Sequence, residues 1–203
     1  LVGSEMCVRD RLPAMLEAVG KNVARGRADV AMYSVAQTAF KRAEASPLPS
    51  VEARPDGATI SGILDSVPHQ PLHVATVALG NAEEAGPFGQ ARAYTWADAL
   101  ESAQVVARAA GVELTVASAE YLPWHPGRCA ELRVGETVVG HAGELHPQIL
   151  EALELPPRVC AMELDLSALP FAEVLPAPIL SVSPALHQDI ALVVDEAVPA
   201  EEV

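Results

Sequence analysis

Aromatic side chains are scarce in this sequence, 4% of 203 residues, so the interior must be built from many small Ala, Val and Leu contacts instead of a few large rings. Such cores often lean on neighbouring subunits. Positive charge is short as well. The 13 Lys and Arg face 27 Asp and Glu, a formal charge of -14, and a surface of that sign repels a phosphate backbone, so autonomous nucleic-acid binding is not expected. The three cysteines, Cys7, Cys129 and Cys160, have no close spacing, which excludes a disulfide framework or a zinc knuckle and fits a reducing, cytoplasmic setting. No apolar run approaches the length of a membrane span, and Leu1-Val2-Gly3-Ser4 has neither a basic nor an apolar signal region. An initiator Met is also missing, and Val198-Pro199-Ala200-Glu201-Glu202 reads as the first turn of a helix. The expectation is a piece of a longer chain.

What is present describes a folded protein. Half the residues are hydrophobic and a fifth are charged, outside the range of disordered chains. Residues 10 to 25 read as an amphipathic helix, capped by Asp10 and carrying Leu12, Met15, Leu16, Val19 and Val23 at helical spacing. Val30 to Phe40 is apolar on both alternating faces and predicts a central strand. Residues 41 to 70 turn to Pro, Ser, Glu and Asp, an exposed loop with an edge strand expected over Thr59 to Leu64.

Leu72 to Leu79 predicts a second long strand. Thr95 and Asp98 open the clearest helix, with Trp96, Leu100, Ala103, Ala107 and Ala110 on one stripe and Gly111 as its stop. Strands follow over Glu113 to Ala117, Ala130 to Val134 and Thr137 to His141, the last two joined by Gly135-Glu136 in a type II′ turn. His146-Pro147 opens a short helix. Val159 to Leu166 alternates Cys160, Met162 and Leu164 on one face and predicts a strand at the sheet's edge or wet on one side. Prolines then mark a boundary before a new strand, Asp189 to Val194. The fold class is α+β, an antiparallel sheet with packed helices.

Three stretches carry a resemblance. They are RDRLPAMLEAVGKNVARGRADVAMYSVAQTAF near the start; WADALESAQVVARAAGVELTV, HPGRCAEL and VVGHAGELHPQILEALEL in the middle; and SPALHQDIALVVDEAVPAEE at the end. In this order they resemble the beta subunit of bacterial phenylalanyl-tRNA synthetase, and HPG followed by GELHPQIL is the most specific pair. The resemblance implies a class II synthetase-like core over 1–175, a proline-rich linker over 176–187 and the start of a ferredoxin-like anticodon-binding domain over 188–203. It also implies an alpha subunit partner in an α2β2 assembly. ATP, Mg and phenylalanine would be handled in the alpha subunit, and tRNA would be met only by the holoenzyme.

The chemistry of a class II site tests that implication. Adenylation needs one arginine on the ATP α-phosphate and another stacked on adenine after a glycine-rich run. Phe40-Lys41-Arg42-Ala43-Glu44 superficially matches the first, but Pro47 and Pro49 follow at once, and Arg42 reads better as a solvated loop charge than as a phosphate ligand. After His146-Pro147-Gln148 the chain runs to CAMELDLSALP, with neither the glycines nor the arginine. No catalytic or cofactor-binding residue is therefore expected in this segment, and the core is expected to be catalytically degenerate. The competing class is a free-standing ATP-dependent carboxylate-activating enzyme of the class II or biotin-ligase type, which the missing glycines and arginine count against.

The remaining candidates are structural or interface residues. Trp124, with Tyr121 and Leu122, forms the densest aromatic cluster, which marks a local core or a partner's hot spot. His125 anchors a turn with Pro126 and Gly127, while His146 caps the helix begun by Pro147. A metal site built from His125, Cys129, His141 and His146 is the lesser reading, because His141 and His146 lack helical i, i+4 spacing. Cys129 beside Arg128 is open to a lowered pKa, yet a strand cysteine is more often a small buried hydrophobe.

Overall fold

The computed structural model describes residues 11–40, 49–50, 52–87, 89–170, 177, 183–184, 186–195 and 197–198. Contacts divide the chain into one unit over Leu1–Ala172 and a second over Glu173–Val203. The first holds four α-helices, α1 (Leu12–Ala24), α2 (Gly57–Ser66), α3 (Trp96–Ala110) and α4 (Pro147–Ala152), among its described residues. Its strands are β1 (Val30–Gln37), β2 (Leu72–Leu79), β3 (Asn81–Glu83), β4 (Arg92–Ala93), β5 (Thr115–Ala119), β6 (Trp124–Val134), β7 (Thr137–Leu145) and β8 (Cys160–Asp165). Six of them form an antiparallel sheet in the order β1-β2-β8-β7-β6-β5, and β3 pairs with β4 apart from it.

The alternation of β8 explains the layering. Cys160, Met162 and Leu164 join Val74, Leu132, Val139 and Ala142 beneath Ala99 and Ala103 of α3. On the other face, Ala161 packs with Ala75, Val77, Trp124 and Leu145 beneath Leu12, Met15, Leu16 and Val19 of α1. The core is the expected mass of aliphatic contacts. Small residues on α3 (Ala99, Ala103 and Ala107, all buried) let that helix lie close on the sheet, whereas Trp96, expected on the buried stripe, is half exposed.

The α3 cap is built from local sequence. Asp98 Oδ2 accepts from the Thr95 N–H at 2.8 Å and its hydroxyl at 2.9 Å, and Gly111 ends the helix in the left-handed region at φ 70°. Burial works to raise the Asp98 pKa, but its hydrogen bonds to the Thr95 backbone, the Arg92 side chain and the Thr95 side chain together outweigh it and hold the carboxyl below its ordinary value. Asp98→Ala is expected to cost about 1 kcal/mol in denaturant unfolding at neutral pH. A depressed folded-state pKa means this contribution is complete above the unfolded value and is lost as pH falls through the folded one, so the gap between parent and variant should close on acidification.

Four expectations need correction. β1 is an edge strand and not a central one: its alternating exposure leaves Tyr33 and Val35 open to solvent, and pairing with β2 alone satisfies it. β8 is central, between β2 and β7, and five of its six residues are buried, so neither of its faces is wet. The edge strand expected over Thr59 to Leu64 is helix α2, because the Asp56 side chain accepts from the Thr59 N–H at 2.7 Å and Ile60, Ile63, Leu64 and Val67 recur at helical spacing. In the second unit, no strand forms over residues 186–195. A strand requires a ladder partner, and none stands beside Ile190, Leu192 and Val193 among the described residues, leaving all three exposed. Gly135 at φ 58°, followed by Glu136 outside the positive-φ set, is the pattern of a type II′ turn.

Candidate functional site

One line of residues crosses the whole sheet on the α1 face. The strand registers set Ser34, Ala75, Glu163, His141, Glu131 and Ala117 side by side from β1 to β5. Its centre is polar where the neighbouring line through Val77, Ala161 and Cys129 is apolar. Glu163 is 7% exposed and His73 9%. A carboxylate that deep needs partners to offset its lost hydration. Glu163 finds them in the Arg11 N–H, 3.0 and 3.2 Å from its two oxygens, and in His73 Nδ1 at 2.8 Å.

This joint completes a helix. Arg11 occupies the N-cap of α1 but makes no side-chain cap hydrogen bond; Glu163, 152 positions away, takes its N–H instead. A carboxylate there also meets the positive end of the helix dipole. The Arg11 guanidinium turns to the Ser34 hydroxyl at 2.9 Å. His73 Nε2 lies 3.9 Å from Asp165 Oδ2, beyond hydrogen-bond distance, and both it and Arg11 Nε are buried without a hydrogen-bond partner. The Phe40 ring closes over His73 with centroids 6.2 Å apart.

Further along the line, the His141 ring stacks on Tyr121, centroids 4.0 Å apart and planes 6° from parallel, with Trp124 at 5.5 Å. Burial holds the His141 imidazole below the ordinary histidine range, against the opposing pull of Glu131. Glu131 accepts from Arg133 Nε at 2.6 Å. On the α3 face, Arg128 Nη1 lies 2.5 Å from Glu144, whose side chain is only 8% exposed.

The motif residues singled out in the sequence gather at the neighbouring corner. Trp124 pairs with Leu145 in register, is buried, and donates from Nε1 to the Ala161 carbonyl at 3.1 Å. Trp124 therefore belongs to the core. The His146 N–H donates to the Pro123 carbonyl at 2.8 Å, which brings the two motifs together, and the His125 and His146 rings stand 6.3 Å apart. His146 Nδ1 accepts from the Gln148 N–H at 3.2 Å and Pro147 begins α4, the capping role expected of that pair. His125 Nδ1 lies 2.5 Å from the Pro126 carbonyl oxygen, and Gly127 turns at φ 86°. No cluster of three or more His, Cys, Asp or Glu able to hold a metal occurs among the described residues. Burial raises the Cys129 thiol and pushes Cys160 up to about 12, with Glu144 adding to the latter, so neither is an activated nucleophile. Arg42, and Asp10 expected as the cap of the first helix, lie outside the described residues.

Two shallow clefts open on the α3 face. The larger, about 250 Å³, lies between α3 and the β1–β2 edge and is lined by Tyr33, Thr76, Tyr94, Asp98 and Ser102 among others, with no Lys or Arg. The smaller, about 210 Å³, holds Trp96 and Arg128. Both fall below the usual size of a cofactor pocket, and the larger offers a phosphate no cation.

Sequence reading missed Arg11, His73 and Glu163. Glu163 is a charge between Met162 and Leu164 in an alternating strand, a placement that reads as solvent-facing and carries no local signal of its burial.

Comparison with known proteins places this architecture. Residues 5–166 match the model for the phenylalanyl tRNA synthetase beta chain CLM domain. A phenylalanine–tRNA ligase beta subunit from Corynebacterium glutamicum is 62% identical over 193 residues, covering 95% of this chain and 23% of that relative. Beta subunits from Mycolicibacterium paratuberculosis and Streptomyces avermitilis are 49% and 46% identical, again over 95% of this chain and over 23% and 24% of their own lengths. The chain thus spans about a quarter of the length of the curated relatives it matches.

Proposed function

The chain belongs to the phenylalanyl-tRNA synthetase beta chain family, and from that premise we propose that this segment is a non-catalytic core serving subunit assembly in phenylalanine–tRNA ligase. The holoenzyme attaches phenylalanine to its tRNA with ATP and Mg in the cytoplasm. Its alpha subunit supplies the active site, and this core holds that subunit in an α2β2 tetramer. The core is a degenerate class II synthetase-like domain. The linker over 176–187 leads to residues 188–203, the opening of a ferredoxin-like anticodon-binding domain, whose position the core fixes.

One observation carries the non-catalytic reading. Arg128 and Arg133, which reach the faces of the six-stranded sheet, have their guanidinium groups paired with Glu144 and Glu131, while the Arg11 guanidinium donates to the Ser34 hydroxyl and its Nε is buried. Phosphoryl chemistry on ATP needs fixed positive charge aimed at the phosphates. A triphosphate over this sheet would meet the partly exposed carboxylates of Asp165 and Glu131 instead. Phenylalanine-dependent ATP–pyrophosphate exchange tests the reading, run on the full-length beta chain alone, the alpha subunit alone and the two together. Exchange by the pair and silence from beta alone is the expected result; exchange by beta alone would overturn it.

A further inference from the structure

Helix α2 is the described α-helix that buries nothing. None of its residues is buried, and Ile60, Leu64 and Val67 are 39, 65 and 46% exposed. With Ile63 they occupy positions i, i+3, i+4 and i+7, a stripe that runs along the helix and ends on its C-cap, Val67. A helix of 10 residues is marginal in water on its own, and Gly57 and Gly62 weaken this one further. The Asp56 cap satisfies only N–H groups of the first turn, Thr59 among them, and buries no apolar surface. The balance has to come from packing the apolar stripe.

The helix is also presented on a firm base. It lies in the long insertion between β1 and β2, whose neck is closed by the Thr38 N–H to the Pro71 carbonyl at 3.0 Å and the Phe40 N–H to the His69 carbonyl at 2.9 Å. Charge selects among possible occupants. Helices that lie on membranes carry Lys and Arg on the polar face, whereas α2 has no basic residue and is bracketed by Asp56 and Asp65. A phosphate backbone is repelled by the same carboxylates. A second copy of this chain would bring another surface of formal charge -14 against them.

We infer that α2 is a docking helix whose stripe Ile60, Ile63, Leu64 and Val67 enters an apolar groove rimmed by Lys or Arg on a different polypeptide. Resting on the reading above, that polypeptide is the alpha subunit. The stripe fills the groove in the helix-in-groove manner, and Asp56 meets the basic rim.

The test measures affinity of the full-length beta chain for the alpha subunit by sedimentation, comparing the parent with the double variant Ile60→Gln, Leu64→Gln. Both positions are exposed and glutamine keeps good helix propensity, so the fold should survive, as an unchanged unfolding midpoint of beta would verify. Ala58→Gln, on the opposite side of α2, is the control. The expected result is binding at least tenfold weaker in the double variant, unchanged in the control, and weakened by salt in the parent. Parent and double variant binding alpha equally would overturn the inference and leave the scaffold reading standing, whereas no complex with parent beta would overturn both. A loss seen instead in self-association of beta, or in binding to phosphatidylserine vesicles, would overturn the inference and assign the stripe to a second copy or to a membrane.

Discussion

Glu163→Ala is expected to lower the stability of this chain by about 3 kcal/mol or more, read as a shift of the urea midpoint at constant m-value. The size follows from what is left behind. The Arg11 N–H loses its acceptor, and His73 loses its contact at 2.8 Å while its other nitrogen already lacks a hydrogen bond. Stranding a buried polar group costs the full desolvation of that group, which exceeds the net value of the bond that satisfied it. Helix α1 would at the same time lose the carboxylate that accepts its N-cap N–H. Glu163→Gln keeps an acceptor of the same length and should recover part of the loss, the remainder measuring the charge itself.

A double-mutant cycle with His73→Leu separates the joint from its parts. In that background Glu163→Ala should cost less, because one of the two groups it strands is gone. Additive costs would mean that Glu163 acts through the α1 terminus alone. A midpoint shift for Glu163→Ala worth less than about 1 kcal/mol would mean that the desolvation of the buried carboxylate nearly cancels its contacts, and that α1 is held by its apolar face, Leu12, Met15, Leu16 and Val19.

Elements specified by near neighbours in sequence were the legible ones. Helix α3 announces itself through Thr95, Asp98 and Gly111, and the β6–β7 hairpin through Gly135-Glu136, because caps and tight turns are decided within a few residues. Strand order is decided elsewhere. β1 looked central because its side chains are apolar on both faces, but Tyr33 and Val35 are exposed and only long-range pairing places it at the edge. β8 was misplaced for the opposite reason: Glu163 and Asp165 made one of its faces look wet, whereas Glu163 is buried against partners 90 and 152 positions away. The polar joint was illegible for the same reason, since no local spacing links Arg11, His73 and Glu163. At α2, β-branched Thr59, Ile60 and Ile63 favoured a strand by propensity, and the Asp56 cap with helical spacing prevailed.

Gly143→Ala should be nearly as damaging as loss of Glu163, at about 3 kcal/mol, and the cause is backbone approach. Gly143 sits at φ 155°, and a Cβ there would run into the carbonyl oxygen of Arg128 across the strand. The register of β6 against β7 shifts between Trp124 and Cys129, so β6 folds close over β7 at this point. Opening that contact would displace Arg128 from Glu144, one residue along β7, and pull Trp124 away from the Ala161 carbonyl. Gly127→Ala supplies the comparison, because Gly127 also has a positive φ, 86°, but has open space where its Cβ would stand. Its cost should be that of conformational strain alone, about 1 kcal/mol. Equal midpoint shifts for the two variants would assign the Gly143 effect to φ; a larger shift at Gly143 would assign the excess to the Arg128 carbonyl. Gly140 extends the same logic toward the polar joint: its φ is ordinary, yet a Cβ would strike the Glu163 carbonyl oxygen. The close packing of β7 on both neighbours therefore fixes the backbone of the residue whose carboxylate anchors α1.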